Sequence, residues 1–202
     1  MNVSKLKTTI IVIIKTNIGI NLATHYNVIN HVILIAPSAY NFSGFDFRNG
    51  GSSWTYKGKE LPYVDIQKGE MKHFVTDAVF PMILNSSITY RNVYDSAIEK
   101  EANKKAKMIP VKNTKADLLI ITGSDDLMWN SADMAKMIAQ EHPQSTTVKI
   151  YQNAGHIFSG NGKTYINGST INTGGNEEAN KSAYQDSQKL MFKTLEIWHK
   201  KK

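Results

Sequence analysis

Four short apolar runs punctuate a chain that is otherwise polar and rich in lysine: residues 9–14, 31–36, 116–122 and 147–151. Each is rich in Ile, Val and Leu and too short for a buried helix, which predicts strands covered on both faces. Between the first two runs, residues 17–26 predict a helix. Between the last two, residues 130–140 predict another, with Met134, Met137 and Ile138 on one face and Ser131 near its start as a capping residue. A β-α-β rhythm of this kind predicts an α/β domain whose mostly parallel sheet is joined by crossover helices.

Residues 37–110 break the rhythm. Their first part, "NFSGFDFRNGGSSWTYKGKELPYVD", is rich in Gly and aromatics and predicts loop. Residues 93–107 predict an exposed helix, with Tyr94, Ile98 and Ala102 four apart and charged side chains around them, stopped by Pro110. An insertion of this size between core strands, residues 41–110, predicts either a lid-like binding region or a surface excursion over the core. The Gly-, Asn- and Thr-rich residues 160–176 predict a connecting loop. A closing helix at 177–200 offers Tyr184, Leu190, Leu195 and Trp198 for packing on the sheet.

With 202 residues, the chain fits a single domain, and 41% hydrophobic against 20% charged residues makes it globular rather than disordered. There is no cysteine, which removes disulfides and thiolate chemistry and is compatible with a reducing cytoplasm, the compartment expected. The N-terminal apolar run is cut off by Lys15, far short of a secretory core, and nothing approaches the length of a membrane span. The formal charge is +7, but only Arg48 and Arg91 are arginine. A reader of bases and phosphates relies on the planar Arg fork, so this charge argues for a solvated basic surface rather than nucleic acid. The same field would favour a small anionic substrate. His25, His31, His73, His142 and His199 show no metal-ligand spacing, and neither metal nor cofactor is implied.

The candidate chemistry lies after the third and fourth strands. "GSDD" closes one and "NAGH" the other, placing Asp126 and His156 at one carboxyl edge if those strands are neighbours. A carboxylate beside an imidazole there can fix its tautomer, stabilise its charged form and leave it able to act as a general base. Asp126 is preferred to Asp125, which is expected to cap the turn.

"KADLLIITGSDDLMWNSADMAKMIAQ", "IYQNAGHIFSG", "GGNEEANKSAYQDSQKLMFKTLEIW", "VILIAPSAY" with "SSWTYKGKELPYV", and "IEKEANKKAKMIPV" together resemble the C-terminal domain of acyl-CoA thioester hydrolases and bile acid-CoA:amino acid N-acyltransferases. The resemblance is collinear from about Ala23 onward. It implies the α/β-hydrolase fold, an acyl-CoA or other acyl ester substrate, and a nucleophile-His-Asp triad in which Asp126 is the acid and His156 the base. The implied nucleophile turn falls near residues 12–19, where small residues should flank a Ser or Cys. No such motif stands there: Thr16 is the one hydroxyl in that stretch and the one candidate it offers, preceded by bulky Ile14 and Lys15, so the nucleophile is not identified in this chain. Ser38 matches a position where the family has no nucleophile and reads as structural. The resemblance further implies that the strands preceding the nucleophile are missing. A truncated or frameshifted product, a pseudoenzyme, or a domain completed by a separate chain would each account for that.

Three functions stand open on the sequence. One is a hydrolase or acyltransferase of acyl thioesters working through Asp126 and His156. The second is an inactive, truncated hydrolase that binds acyl groups or a partner, or does nothing. The third is a basic module for nucleic acid or anionic membrane, for which only Lys104–Lys105 and the terminal lysines speak.

Overall fold

Alternation of buried side chains dictates the layering. The computed structural model describes residues 10–14, 17–44 and 50–200. Its elements run β1 (Ile10–Ile14), α1 (Ile18–His25), β2 (Ile29–Ile35), β3 (Asn41–Phe42), β4 (Thr55–Tyr56), β5 (Lys59–Glu60), β6 (Tyr63–Val64), α2 (Met71–Phe74), α3 (Phe80–Ile83), α4 (Arg91–Lys100) and α5 (Lys104–Lys107). They continue with β7 (Asp117–Gly123), α6 (Ser131–Glu141), β8 (Thr146–Tyr151), β9 (Lys163–Ile166), β10 (Ser169–Asn172) and α7 (Glu177–Lys200). One turn of π-helix, Val75–Val79, joins α2 to α3.

The four strands expected from the apolar runs form one sheet in the order β1-β2-β7-β8, every pairing parallel. Val32 and Leu34 of β2, with Leu118 and Ile120 of β7, face a core shared with Ile20 of α1 and Ile138 of α6. Their neighbours Ile33, Leu119 and Ile121 face a second core with Ala183, Met191 and Trp198 of α7. The period of two along each strand therefore sends alternate residues into two apolar layers, one beneath α1 and α6 and the other beneath α7. The chain is thus an α/β protein with a parallel sheet.

The edge strand β8 is only partly covered and carries the exposed Lys149 outward, a charge that discourages pairing with another sheet. Tyr151 at its end donates to Asp186 of α7 at 2.8 Å; burial, then that carboxylate, pushes its phenol well above the usual range.

Several expectations need correction. The helix expected at 93–107 is two. Glu101 adopts an extended conformation after α4, its side chain accepts from the Asn103 N–H at 3.0 Å, and the chain restarts as α5. The α4 face is also less exposed than its pattern suggested, because Val93 and Ala97 are buried. The aromatic stretch expected as loop contains the parallel pair β3–β6 and the hairpin β4–β5. Residues 160–176, expected as a connection, contain the hairpin β9–β10, turned by Asn167 and Gly168 with φ of 49° and 84°. Two left-handed residues in succession make the tight turn whose twist suits flanking strands. On α7, Leu190, Leu195 and Trp198 do meet the core, whereas Tyr184 points to solvent and Ala183 and Met191 take its place. Among the described residues no helix is long and apolar enough to cross a membrane.

Ile33 is fully buried between β-sheet neighbours and α7, so Ile33→Ala should lose about 2–5 kcal/mol in urea unfolding. Ile83→Ala, at a side chain 66% exposed, should stay within about 0.5 kcal/mol of the parent. Equal losses at the two positions would contradict the layering.

Candidate active site

Because all four sheet strands run the same way, the turns after β2, β7 and β8 emerge at one edge. The turn after β1, with Thr16, lies outside the described residues. The other turns bring Asp126 and His156 together: His156 Nδ1 stands 2.9 Å from Asp126 Oδ2. Both residues are buried, at 1% and 8% exposure.

A buried carboxylate is costly unless its oxygens are met by donors. Asp126 Oδ1 accepts the backbone N–H of Met128 at 2.8 Å and of Trp129 at 3.3 Å, the local turn that an Asp side chain favours. Oδ2 accepts from the Ser131 hydroxyl as well as from His156. Ser131 in turn contacts the hydroxyl of Thr122 in β7. An ionised carboxylate can only accept, so in this pair His156 Nδ1 is the donor, and in the neutral imidazole the lone pair is on Nε2. Among the described residues, Nε2 makes no hydrogen bond.

Trp129 packs edge-on against His156, ring centroids 4.5 Å apart. Its indole N–H reaches the carbonyls of Ala36 at 3.2 Å and Pro37 at 3.3 Å, tying the Asp126 loop to the turn after β2. Ser38 in that turn is buried, and its hydroxyl oxygen accepts the Tyr40 N–H at 3.0 Å. Arg91, at the start of α4, donates to the Asp126 carbonyl at 2.8 Å and pairs with Asp95.

The His156 loop is held from α7. Buried Asn180 accepts the Gly155 N–H at 2.8 Å and donates to the carbonyls of Gly160 and Gly174 at 3.1 and 3.2 Å. The His156 N–H itself donates to Thr173 at 2.7 Å. Backbones approach so closely here that a Cβ on Gly155 would collide with the Gly174 carbonyl, and one on Gly174 with the Asp125 carbonyl. Asp125, expected as a turn cap, instead accepts the Gly175 N–H at 3.0 Å and binds this same segment. Sequence reasoning did not single out Trp129, Arg91 or Asn180. The first two flag themselves only weakly, as a Trp just past the Asp pair and one of two arginines; a helical Asn gives no signal at all.

Among the described residues, two of the surface cavities measure about 210 and 360 Å³. One is lined by Met82, Ser86 and Tyr165 among others, and the other by Phe158, Glu177, Lys181 and Tyr184; neither is lined by Asp126 or His156. An exposed apolar row, Met71, Phe74, Phe80, Met82, Ile83 and Leu84, follows the inserted helices.

A buried carboxylate–imidazole pair thus stands at the carboxyl edge of a parallel sheet in an α/β protein. The family model described as BAAT / acyl-CoA thioester hydrolase C terminal matches residues 5–160, and the chain belongs to that family. The family is of the acyl-CoA thioesterase and acyltransferase type. A comparison with curated proteins finds no match.

Asn180→Asp keeps an acceptor for Gly155 but sets a carboxylate against two carbonyls in a buried place. Denaturant unfolding should show a loss of about 2–4 kcal/mol. A loss below about 1 kcal/mol would mean that the loop holding His156 does not depend on this side chain.

Proposed function

We propose that this chain is a hydrolase- or acyltransferase-like member of the family, with an α/β-hydrolase arrangement, acting on acyl-CoA or related acyl esters. Asp126 is its triad acid and His156 its base. The observation that carries the reading is the 2.9 Å hydrogen bond from His156 Nδ1 to a buried Asp126, which leaves Nε2 as the only basic nitrogen. In the reaction, Nε2 takes the proton of a hydroxyl as its oxygen adds to the thioester carbonyl. The carbon–sulfur bond then breaks, and the proton passes from the imidazolium to the departing CoA sulfur. Water or an amine, deprotonated at the same Nε2, releases the acyl group and regenerates the hydroxyl. Asp126 keeps the imidazole in the correct tautomer and stabilises its charged form without itself taking the proton. The hydroxyl is Thr16 or one supplied by a separate chain. The inserted segment 41–110 is lid-like in this reading, and its apolar row is the surface offered to an acyl chain.

One observation favours a second reading, that of an inactive acyl-binding relative. Ile14 and Lys15 precede Thr16 where a nucleophile turn needs small residues.

Release of CoA from acyl-CoA substrates, followed with a thiol reagent, decides between the two. The active reading expects turnover that falls roughly a thousandfold or more in both His156→Ala and Asp126→Asn. A fluorophosphonate probe should label one residue, found by peptide mapping. No turnover and no label on a chain that melts cooperatively would establish the inactive relative; turnover that survives His156→Ala would remove the triad assignment.

A further inference from the structure

Ser131 stands where the sequence suggested a helix cap, but it does not cap. The side chain of Asn130 does, accepting the Asp133 N–H at 3.2 Å, and Ser131 is the first residue inside α6. Its hydroxyl is therefore released from the usual duty of that position. It is wholly buried and turned the other way, onto Asp126 Oδ2, the very oxygen that accepts His156 Nδ1. A serine has one hydroxyl proton. With that proton given to Asp126, the hydroxyl of Thr122, also wholly buried, is the donor in its contact with Ser131 and shares its proton with the Gly123 carbonyl at 3.3 Å. Thr122, Ser131, Asp126 and His156 thus form one buried chain of hydrogen bonds from the carboxyl end of β7 to the imidazole. The two oxygens of the carboxylate are not equivalent within it. Oδ1 is met only by backbone N–H groups, whereas Oδ2 is divided between one hydroxyl and the imidazole.

We propose that Ser131 is a positioning residue of the acid–base pair: by sharing Oδ2 with His156 it sets how tightly the carboxylate draws the imidazole toward itself, and Thr122 orients Ser131 for that task. The inference rests on the reading of Asp126 and His156 as the working pair. An anionic oxygen shared by two donors gives each a weaker bond than it would give one alone, since hydrogen bonds to a charged acceptor draw on the same charge. Without the Ser131 hydroxyl, Oδ2 turns wholly to His156. The Nδ1–H···Oδ2 bond strengthens, and the imidazolium formed during reaction returns its proton to the departing sulfur less readily. Binding of substrate does not involve this oxygen, so the effect belongs to kcat and not to KM.

The test compares the full chain with Ser131→Ala, Ser131→Thr and Thr122→Val, reading the ring-nitrogen and Nδ1-proton resonances of His156 by NMR beside steady-state kinetics on an acyl-CoA. Ser131→Ala should move the Nδ1 proton downfield and lower kcat about three- to tenfold at unchanged KM. Ser131→Thr, which keeps the hydroxyl, should restore both. Thr122→Val, remote from the carboxylate, should shift the resonance in the same direction by less. If Ser131→Ala folds and leaves the His156 resonances at their parental positions, the proposal is overturned and the hydroxyl merely fills space. If Ser131→Ala fails to fold, the Thr122→Val resonance decides in its place. Absence of turnover in the parent chain would count against the functional reading alone, because the resonances report the shared oxygen whether or not a nucleophile is present.

Discussion

A carboxylate at 1% exposure has to be met by donors on every side, and meeting those of Asp126 organises this end of the molecule. Its four partners come from three places: the turn that follows β7, the first turn of α6, and the loop after β8. None can be moved independently. The backbone donors require the Asp126 turn to close tightly, the Ser131 hydroxyl requires α6 to start where it does, and the imidazole requires β8 to end beside β7. The parallel pairing of β7 with β8 supplies that last condition, since it brings both strand ends to the same edge.

The close approach has a backbone counterpart. Gly123, Gly155 and Gly174 lie where main chains touch, and a methyl group at any of them would meet a carbonyl oxygen. The short antiparallel bridges of Asp126 with Gly174 and of Ala154 with Gly175 show the same three segments in contact. Packing of this kind buries backbone polar groups that must then be satisfied. Asn180 does so for three of them with one side chain, which is why a residue that reads as ordinary helix surface is 1% exposed.

What could be read from the sequence follows from what is local. The four sheet strands were visible because runs such as "LLII" in β7 are unbroken by polar residues, and that pattern belongs to strands covered on both sides. The pairing of Asp126 with His156 was visible because both follow such runs. The β9–β10 hairpin was legible in principle, from Asn-Gly between "KTYI" and "STIN", but the glycines around it masked it as loop. The break in the 93–107 helix turns on the extended backbone of Glu101, a residue with no helix-breaking chemistry. Ser131 and Asn130 were beyond reach for another reason. Both are good capping residues, and adjacency leaves the choice to whatever else needs a hydroxyl; here that is Asp126, and no local pattern ties its carboxylate to Ser131 rather than Asn130.

The inserted segment raised a choice between a binding region and a surface excursion, and its contacts show how it is anchored. Ala78 and Ile88 pack with Ile171 of β10 in a small core that Met128, two residues past Asp126, also touches. Ile88 bridges β10 through two backbone hydrogen bonds, 2.9 Å to Thr170 and 2.7 Å from Asn172. Arg91 then donates to the Asp126 carbonyl, and its own N–H to that of Leu127 at 3.0 Å. The segment is built into the footing of Asp126 through α4, while its other part, 71–84, carries the exposed apolar row outward. One inserted piece therefore touches both the acid of the candidate pair and the apolar surface proposed for an acyl chain.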